Sequence, residues 1–397
     1  MLSVDEAIQK IMPFARVLNG GETVSISHAC GRILTQDIVA GCNVPPCHNS
    51  AMDGYALRTA DLAQSRVLPL ADAVFAGDVP AMLPPQSAMR IFTGAPLPDG
   101  ADAVVIQEET DSNGESVIVQ ATVKAGDNIR RCGEDIQRGQ LLFAAGHCLR
   151  AQDIGLLASV GIADVSVFMR LKVGLLCTGD ELQEPGCELT AGKIYNSNRY
   201  MLVALLQQMG CEVVDAGIVQ DSLDATHNAL EALAEMSDVV LSTGGVSVGD
   251  ADYVKAAVLA LGDLSVWKIA VKPGKPLAFG CVCGKPFFGL PGNPVSAFVT
   301  FLLFVRPFLQ VEQGSKVRPL SRFQVPAGFN WAEPGKREEY LRVQLQPDAG
   351  GVLTAQLYPN QGSGVLSSVC WADALLRVPI GTTFQQGDTV ECLLLTM

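Results

Sequence analysis

The sequence predicts a multidomain protein of α/β and β structure. It would have a central domain with a doubly wound parallel sheet, an N-terminal α+β region with an inserted β domain, and a small C-terminal β-barrel. Three observations support this prediction. From residue 170, short apolar strands alternate with amphipathic helices, which is the pattern of repeated βα units. Residues 43–135 are β-rich and interrupted by Pro and Gly, and short strands with turns follow residue 317.

The changes in pattern give the expected domain boundaries. We place the N-terminal α+β domain at 1–42 and 136–169, and the inserted β-rich domain at 43–135. The α/β domain would cover 170–316 and the barrel 317–397. A chain of 397 residues is long enough for several such domains.

The charge and cysteine content limit the possible functions. The formal net charge of −13 argues against nucleic acid as a main partner, which would require a basic surface. No apolar run reaches the ~18 residues of a membrane span, and the N-terminus lacks the features of a signal peptide. The 12 Cys are scattered without the spacing of a zinc site. We therefore expect a cytoplasmic protein with reduced thiols, bound to neither nucleic acid nor membrane.

The N-terminal region should contain two helices. Residues 3–18 carry apolar side chains at helical spacing, with Ser3 and Glu6 placed as a capping box and a possible kink at Pro13. A second helix should begin at Asp153 and end before Gly161.

The inserted domain contains two polar stretches, and each allows two interpretations. Residues 49–56 mix turn formers with small residues, and Asp53 could either bond its own backbone in a tight turn or serve a site. Arg130 and Arg131 stand next to Glu134 and Asp135. This cluster is either a set of self-paired surface charges or a place that binds an anion.

In the central domain the pattern alternates regularly between strand and helix. The predicted strands are 172–177, 211–219, 238–242 and 265–271, and the predicted helices are 198–209, 223–236, one opening at 253 and an apolar one from 294 to about 310.

Polar groups follow the ends of these strands. Ligands of doubly wound sheets bind beyond the carboxyl ends of the strands. Glu181, Asp221, the Gly-rich loop with Asp252, and the turn from Lys272 to Lys275 would all lie at that edge. Their convergence predicts a ligand site.

The Gly-rich loop at 242–250 is the strongest single feature. It follows an apolar strand and precedes a helix, so its backbone N–H groups and the helix N-terminus suit a phosphate. It matches neither a dinucleotide-binding nor a Walker motif. Taken alone, such a loop could equally be a plain strand-to-helix turn.

Seven short motifs in one order resemble the molybdopterin molybdenumtransferase family, which includes MoeA and the E domain of gephyrin. They span almost the whole chain: Asn49-Ser-Ala-Met-Asp-Gly-Tyr-Ala, Thr93-Gly-Ala-Pro, Gly133-Glu-Asp, Thr178-Gly-Asp-Glu-Leu, Ser242-Thr-Gly-Gly-Val-Ser-Val-Gly, Lys272-Pro-Gly-Lys-Pro and Gly289-Leu-Pro-Gly-Asn-Pro. The resemblance implies a cytoplasmic homodimer with four domains that inserts molybdate into the dithiolene of adenylated molybdopterin and releases AMP, assisted by Mg²⁺. It also implies contact with the molybdopterin adenylyltransferase and with acceptor molybdoenzymes.

The resemblance also assigns residues by matching position. The implied catalytic acids are Asp53, Asp135, Glu181, Asp221 and Asp252, of which Glu181, Asp221 and Asp252 would hold the metal. The implied substrate-binding residues are Thr93, Arg130, Thr243, Gly244, Gly245, Ser247, Gly249, Lys268, Pro291 and Pro294. Lys272, Lys275, Arg342 and Ser363 would bind molybdate. Without the resemblance, Arg342 would read as an ordinary strand residue and Ser363 as part of a hairpin loop.

This sequence departs from the family pattern at one visible position and leaves two other functions open. Cys132 stands where family members often carry a third basic residue, which puts the role of Arg130 and Arg131 in question.

The alternatives are the related molybdopterin adenylyltransferase, a single α/β domain, and a non-enzymatic scaffold like gephyrin. The additional N- and C-terminal domains argue against the first alternative, and the intact site acids argue against the second.

Overall fold

The computed structural model describes residues 1–18, 20–245 and 253–395, and the chain forms two compact units. The first comprises Met1–Glu22, Gly31–Thr35 and Val167–Met397. The second comprises Thr23–Cys30 and Gln36–Ser166. The four-domain division expected from the sequence stays a prediction.

The helices begin and end close to the predicted positions. Ser3 and Glu6 form the predicted capping box: the Ser3 N–H donates to Glu6 Oε2 at 2.7 Å, and the Glu6 N–H donates to Ser3 Oγ at 3.1 Å. The regular helix is shorter than predicted, because beyond Ile11 the chain tightens into a 3₁₀ turn that contains Pro13. The described α-helices are α1 Val4–Ile11, α2 Ala151–Ser159, α3 Ser197–Gln208, α4 Leu223–Met236, α5 Tyr253–Leu261, α6 Pro294–Thr300, α7 Arg306–Glu312 and α8 Ser367–Trp371.

The strands of the N-terminal half are short, and most of them lie in the second unit. They are β1 Gly21–Ser25, β2 Ile38–Val39, β3 Asn49–Ser50, β4 Gly54–Leu57, β5 Val67–Val74, β6 Ala88–Ile91, β7 Ala103–Ile106, β8 Thr110–Ser112, β9 Ser116–Val119, β10 Ile129–Arg130, β11 Leu141–Phe143 and β12 Asp164–Phe168. The main sheet of the second unit has the order β7-β4-β6-β5-β9-β8, and β3 pairs with β10.

The first unit contains the predicted doubly wound sheet. Its strands and the neighbouring short ones are β13 Lys172–Thr178, β14 Leu182–Gln183, β15 Ile194–Tyr195, β16 Glu212–Val219, β17 Val239–Thr243, β18 Gly262–Lys268, β19 Val271–Lys272, β20 Pro276–Val282 and β21 Lys285–Leu290. The order is β16-β13-β17-β21-β20-β18. The first four run parallel, as predicted. β20 is antiparallel to β21, because the turn at Cys283 and Gly284 is too short for the crossover that parallel strands need. β18 pairs antiparallel with β20, so it runs in the same direction as the first four strands.

Apolar side chains cover both faces of this sheet. Alternate residues of β17 point to opposite faces, so Leu241 packs in one buried cluster with α1, α3, α6 and α7, and Val240 in another with α4 and α5. Because helices cover both faces of the sheet, the side chains on both sides of each strand are buried. The strand sequences are therefore continuous apolar runs.

One helical stretch of the described chain is long and apolar enough to cross a membrane by length and composition alone. It is Pro294–Glu312, in which a π-helical segment, Phe301–Val305, joins α6 to α7. About 61% of it is buried inside the protein, and Phe301, Phe304 and Phe308 belong to the core cluster. It therefore packs as a core helix.

The C-terminal strands form a curved antiparallel sheet. They are β22 Arg322–Pro326, β23 Glu338–Pro347, β24 Leu353–Leu357, β25 Ala374–Val378 and β26 Thr389–Leu394. The order is β19-β23-β25-β26-β22, and β24 pairs with the C-terminal half of β23 at the edge opposite β25. A bridge between Ala327 and Ala355 joins the chain after β22 to β24, which closes the strands in the manner of the predicted barrel. β19 lies parallel to β23, so the turn after Lys272 is carried next to the barrel.

We predict that Phe308→Ala strongly destabilises the first unit. Phe308 is fully buried and meets the rings of Phe279 and Phe288 edge-on at 5.9 and 5.1 Å. Urea unfolding should show a loss of about 3–5 kcal/mol. Phe323→Ala, at a position 48% exposed, is the matched control and should cost far less. Equal losses for the two variants would contradict this view of the core.

Candidate active site

A cavity of about 520 Å³ lies where β17, β21 and the turn before β20 end. Segments of the α/β sheet and of the C-terminal strands line it together. Its lining residues are Glu181, Gly244, Gly245, Lys272, Pro273, Gly274, Lys275, Pro276, Pro291, Gly292, Asn293, Ser296, Arg337, Gln361, Gly362 and Ser363. The predicted convergence of polar groups at this edge is therefore present for Glu181, the Gly-rich loop and the Lys272–Lys275 turn.

The first two glycines of the loop are required by their surroundings. Gly244 and Gly245 have φ of +89° and +63°, values that favour glycine. A Cβ on Gly244 would lie 2.7 Å from the carbonyl oxygen of Thr178. A Cβ on Gly245 would lie 2.5 Å from Val254 Cγ2. The backbone here packs tightly against its neighbours and remains open toward the cavity.

A buried amide fixes the loop relative to the next one. Asn198 Nδ2 donates to Thr243 Oγ1 at 3.0 Å and to the Gly292 carbonyl at 2.7 Å. Thr243 Oγ1 in turn donates to the Pro291 carbonyl at 3.3 Å. These bonds join the end of β17 to the segment between β21 and α6, so the two cavity walls are held together.

Three cationic side chains line the cavity. Lys272 Nζ lies 3.0 Å from Glu339 Oε2 on β23. Arg337 Nη1 donates to the Val271 carbonyl at 3.2 Å. Neither Arg337 nor Lys275 has an ion-pair partner within the described ranges 1–18, 20–245 and 253–395. Their charges are therefore available to an anion in the cavity.

Arg342 lies behind the cavity wall and is not a lining residue. It is 1% exposed, and its guanidinium donates to Ser368 Oγ at 3.0 Å and to the carbonyls of Tyr340 and Gly362 at 3.2 and 3.3 Å. Burial lowers the pKa of the guanidinium to about 10, so it remains charged at neutral pH.

The backbone of Arg342 also holds the loop that lines the cavity. Its N–H donates to Gln361 Oε1 at 2.9 Å, and Gln361 Nε2 donates to its carbonyl at 3.0 Å. The carbonyl of Ser363 accepts a hydrogen bond from the Val295 N–H at 3.0 Å. The loop with Ser363 is thereby fixed between α6 and β23.

Of the three predicted metal-binding acids, the structure describes two. Glu181 follows β13 and lines the cavity, and Asp221 follows β16. Burial and the charges of Asp180 and Glu181 raise the pKa of the Asp221 carboxyl, so Asp180 and Glu181 lie close enough to act on Asp221 electrostatically. In the described residues no group of three or more His, Cys, Asp and Glu has the arrangement of a metal site. Asp252 lies outside the described residues, as do Ser247 and Gly249.

Of the remaining predicted residues of the first unit, three line a cavity and one does not. Pro291 lines the first cavity, and Thr243 and Pro294 line an adjoining cavity of about 340 Å³. Lys268 ends β18 and lines neither cavity.

The second unit holds the predicted residues Asp53, Thr93, Arg130 and Asp135. Asp53 Oδ1 accepts from the Thr93 N–H at 2.7 Å and from Thr93 Oγ1 at 2.8 Å, and these bonds lower the pKa of the exposed Asp53 carboxyl. Arg130 lies on β10 opposite Asn49 on β3, beside the segment that carries Asp53. Asp135 is exposed, and its N–H donates to the Val44 carbonyl at 3.0 Å.

Cys132, the departure from the family pattern, is held by a distant segment of the chain, residues 43–48. Its Sγ donates to the Pro46 carbonyl at 3.2 Å, and its N–H donates to His48 Nδ1 at 3.1 Å.

The sequence analysis did not single out several lining residues. Arg337 is the most consequential, because it supplies the cavity with the guanidinium that we had expected from Arg342. Its position is a tertiary effect: β23 pairs in parallel with β19, which brings the residues just before β23 beside the Lys272 turn. Asn293 belongs to the motif Gly289-Leu-Pro-Gly-Asn-Pro, whereas no local sequence signal marked Arg337, Ser296 or Gln361.

Three family models match consecutive parts of the chain. They are the MoeA N-terminal region (domain I and II) at residues 2–161, the probable molybdopterin binding domain at 174–311, and the MoeA C-terminal region (domain IV) at 324–395. A molybdopterin molybdenumtransferase of Haemophilus influenzae is 40% identical over 93% of this chain and 92% of its own length. The chain belongs to the MoeA family.

Other relatives agree with this assignment. A molybdopterin molybdenumtransferase of Bacillus subtilis is 34% identical and covers 99% of this MoeA-family chain and 94% of its own length. The crystal structure of a molybdopterin biosynthesis MoeA protein from Pyrococcus horikoshii superposes with a TM-score of 0.84 at 30% identity, covering 99% and 100% of the two chains. The resemblance and the fold class inferred from the sequence are confirmed.

We predict that Gly245→Ala destabilises the protein more than Gly351→Ala. Both positions have a left-handed backbone, with φ of +63° and +81°, so the two variants share that strain. A Cβ on Gly351 meets no heavy atom of the described residues within 4 Å, whereas on Gly245 it collides with Val254. Urea unfolding should show an extra loss of about 1–3 kcal/mol for Gly245→Ala. Indistinguishable losses would contradict the close packing of the loop.

Proposed function

We propose that this MoeA-family protein is a molybdopterin molybdenumtransferase: it inserts molybdate into the dithiolene of adenylated molybdopterin and releases AMP. The observation that carries the proposal is the cavity with Lys272, Lys275 and Arg337, next to a Gly-rich loop at the carboxyl edge of the sheet. Two relatives that match nearly the whole chain bear the name molybdopterin molybdenumtransferase.

The cationic side of the cavity suits molybdate. Molybdate is a tetrahedral dianion, so it needs positive charge and several donors. Lys275 and Arg337 bring charge without a carboxylate partner among the residues whose placement is described, and Ser363 brings a hydroxyl donor. The planar guanidinium of Arg337 adds directed hydrogen bonds, which a lysine does not. We assign the molybdate contact to Arg337 and give Arg342 the role of supporting the Ser363 loop.

The phosphates of the substrate would lie at the Gly-rich loop. The backbone at Gly244 and Gly245 is open on the cavity side and closed behind by Thr178 and Val254. N–H groups in such loops bind phosphate oxygens.

The acids at this edge suit Mg²⁺, the metal that the family resemblance implies. Asp221 has a raised carboxyl pKa from burial and from the charges of Asp180 and Glu181, and a divalent cation would relieve that repulsion. Mg²⁺ bound there would shield the phosphoanhydride oxygens. Glu181 lines the cavity, so its carboxylate would face the phosphate side of the substrate. We propose Glu181 and Asp221 as ligands, with Asp252 as the third.

The second unit would complete the site within a homodimer. Asp53 is fixed by Thr93 in an ionised form and is exposed, so its negative charge is positioned for a role outside its own turn. Arg130 and Asp135 are exposed in the same unit. We propose that Asp53, Thr93, Arg130 and Asp135 serve an active site through dimer formation.

The location and further partners follow from the proposed reaction. All 12 cysteines are free thiols, which supports a cytoplasmic location. The substrate would be received from the molybdopterin adenylyltransferase, and the product would pass to acceptor molybdoenzymes.

The experiment that tests the function follows the products. The purified protein, incubated with adenylated molybdopterin, molybdate and Mg²⁺, should release AMP in step with transfer of molybdenum to molybdopterin. Turnover of ATP and molybdopterin to pyrophosphate would instead identify an adenylyltransferase. Binding of the substrate without release of AMP would favour the scaffold and overturn the proposal.

We predict different effects for the two arginines. Arg337→Ala should raise the molybdate concentration for half-maximal insertion about 10-fold, because it removes a charged donor from the cavity. Its unfolding free energy should change by less than about 0.5 kcal/mol. Arg342→Ala should lower the unfolding free energy by at least about 2 kcal/mol, since it leaves buried carbonyls without donors.

Arg322→Ala is the control for loss of an arginine. Its side chain is 57% exposed and lies 3.6 Å from Glu391, so both quantities should stay near those of the wild type. The opposite result would assign the molybdate contact to Arg342. In that case Arg342→Ala would change the molybdate concentration for half-maximal insertion at unchanged stability, and Arg337→Ala would leave that concentration unchanged.

A further inference from the structure

A buried carboxylate lies directly behind the wall of the cavity of about 520 Å³. Glu339 is 6% exposed and does not line the cavity, but its Oε2 lies 3.0 Å from Nζ of Lys272, which does. The Lys272 side chain is 46% exposed, so its ammonium group faces both this counterion and the open space of the cavity. An anion that binds Lys272 therefore competes with a carboxylate that is already in place.

The backbone holds this ion pair on both sides. Lys272 ends β19 and stands in register with Glu339 near the start of β23, because the two strands run parallel. On its other side the carboxylate lies against the Gly335 backbone, where a Cβ would come within 2.8 Å of Glu339 Oε1. With one oxygen beside Gly335 and the other at Lys272, the carboxylate has little freedom to move away. It therefore differs from a pair of mobile surface side chains, which contributes little.

The charge of Glu339 acts on two cations. Burial lowers the pKa of the Arg342 guanidinium to about 10, and the negative charge of Glu339 acts in the opposite direction. Glu339 thus offsets the buried guanidinium of Arg342 and the lining ammonium of Lys272 together. Lys275 and Arg337 also line the cavity, but they have no carboxylate partner in the part of the chain that the structure describes. The three lining cations are therefore not equivalent toward an anion.

Molybdate must be bound and then released to the dithiolene in the proposed reaction. A positive charge that stabilises the bound oxyanion, and not the transition state of its transfer, lowers the molybdate concentration for half-maximal insertion and also lowers the maximal rate. Three cations without counterions around one dianion would hold it in this way. A carboxylate that offsets one of them keeps the bound oxyanion transferable.

We propose that Glu339 is a positioning residue for molybdate insertion: it holds Lys272 at the cavity wall and offsets its charge, so that molybdate binds loosely enough to be transferred. The inference rests on the proposed function and adds a residue that acts through Lys272 without contacting the oxyanion. A carboxylate that only oriented Lys272 for tight binding would have the opposite effect on molybdate affinity, and one that only stabilised the fold would have none. The sign of the change in affinity therefore tests the inference.

The first measurement is molybdate binding to the purified protein alone, by equilibrium dialysis up to millimolar concentration. Glu339→Gln keeps the shape of the side chain and an acceptor for Lys272 but removes the charge. It should bind molybdate about fivefold more tightly than the wild type. Glu391→Gln is the matched control, because its carboxylate pairs with Arg322 and Arg377 and none of the three lines the cavity. Its molybdate affinity should stay within about twofold of that of the wild type.

The second measurement separates this role from a structural one. In the insertion assay, Glu339→Gln should lower the molybdate concentration for half-maximal insertion and the maximal rate by similar factors. The ratio kcat/KM for molybdate should therefore stay near that of the wild type. A variant that is only less stable would not bind the oxyanion more tightly.

Two further variants test whether the effect passes through Lys272. Glu339→Asp keeps the negative charge near Arg342 and lengthens the contact with Lys272, so its molybdate affinity should fall between those of the wild type and Glu339→Gln. This variant also provides the test if Glu339→Gln fails to fold. In a Lys272→Gln background, the Glu339→Gln change should alter molybdate affinity by less than about twofold.

Several results would overturn the inference. They are unchanged or weaker molybdate binding by the folded Glu339 variants, the full tightening by Glu339→Gln in the Lys272→Gln background, and no molybdate binding by either the wild type or the variants at millimolar concentration. Failure of the proposed function would be seen separately, as an absence of AMP release and molybdenum transfer by a wild-type protein whose molybdate affinity still increases on Glu339→Gln.

Discussion

The carboxyl ends of parallel strands meet at one edge of a sheet, and the candidate site depends on this constraint. β13, β17 and β21 end beside one another, so Glu181, Gly244 and Gly292 come together although they are far apart in sequence. The reversal at β20 places the Lys272–Lys275 turn at the same edge, because the start of an antiparallel strand lies where its parallel neighbours end.

The cationic side chains that line the cavity and the buried Arg342 behind its wall have different kinds of partners. Lys272 is paired with Glu339, while Lys275 and Arg337 have no carboxylate partner in the described chain. Arg342, fully desolvated, is satisfied by carbonyl and hydroxyl oxygens, and burial lowers the pKa of its guanidinium. A buried cation held by neutral acceptors keeps its positive charge close to the wall. The backbone of Arg342 also fixes, through its bonds to Gln361, the loop that carries Ser363.

The site retains features that reduce stability. Gly244 and Gly245 are in left-handed conformations, and the buried Oδ1 of Asn198 has no hydrogen-bond partner among the described residues. The raised pKa of the Asp221 carboxyl means that its ionised form is disfavoured by burial and by Asp180 and Glu181. Each of these features is unfavourable in the protein alone. Costs concentrated at one edge are typical of functional sites.

The sequence by itself determined the βα alternation, the capping box of α1, the Gly-rich loop and the family, because periodicity, turn residues and ordered motifs are local properties. It also placed Glu181, Lys272 and Lys275 at the ligand edge through the rule for strand ends. The tertiary structure decided the antiparallel direction of β20 and which of two arginines lines the cavity: Arg337 does, and Arg342 lies buried behind the cavity wall. Arg337 and Arg342 are five residues apart around the start of one strand, and local pattern does not distinguish them. Which guanidinium lines the cavity depends on the pairing of β19 with β23 and on the Gln361 loop, and both are contacts between segments distant in the chain.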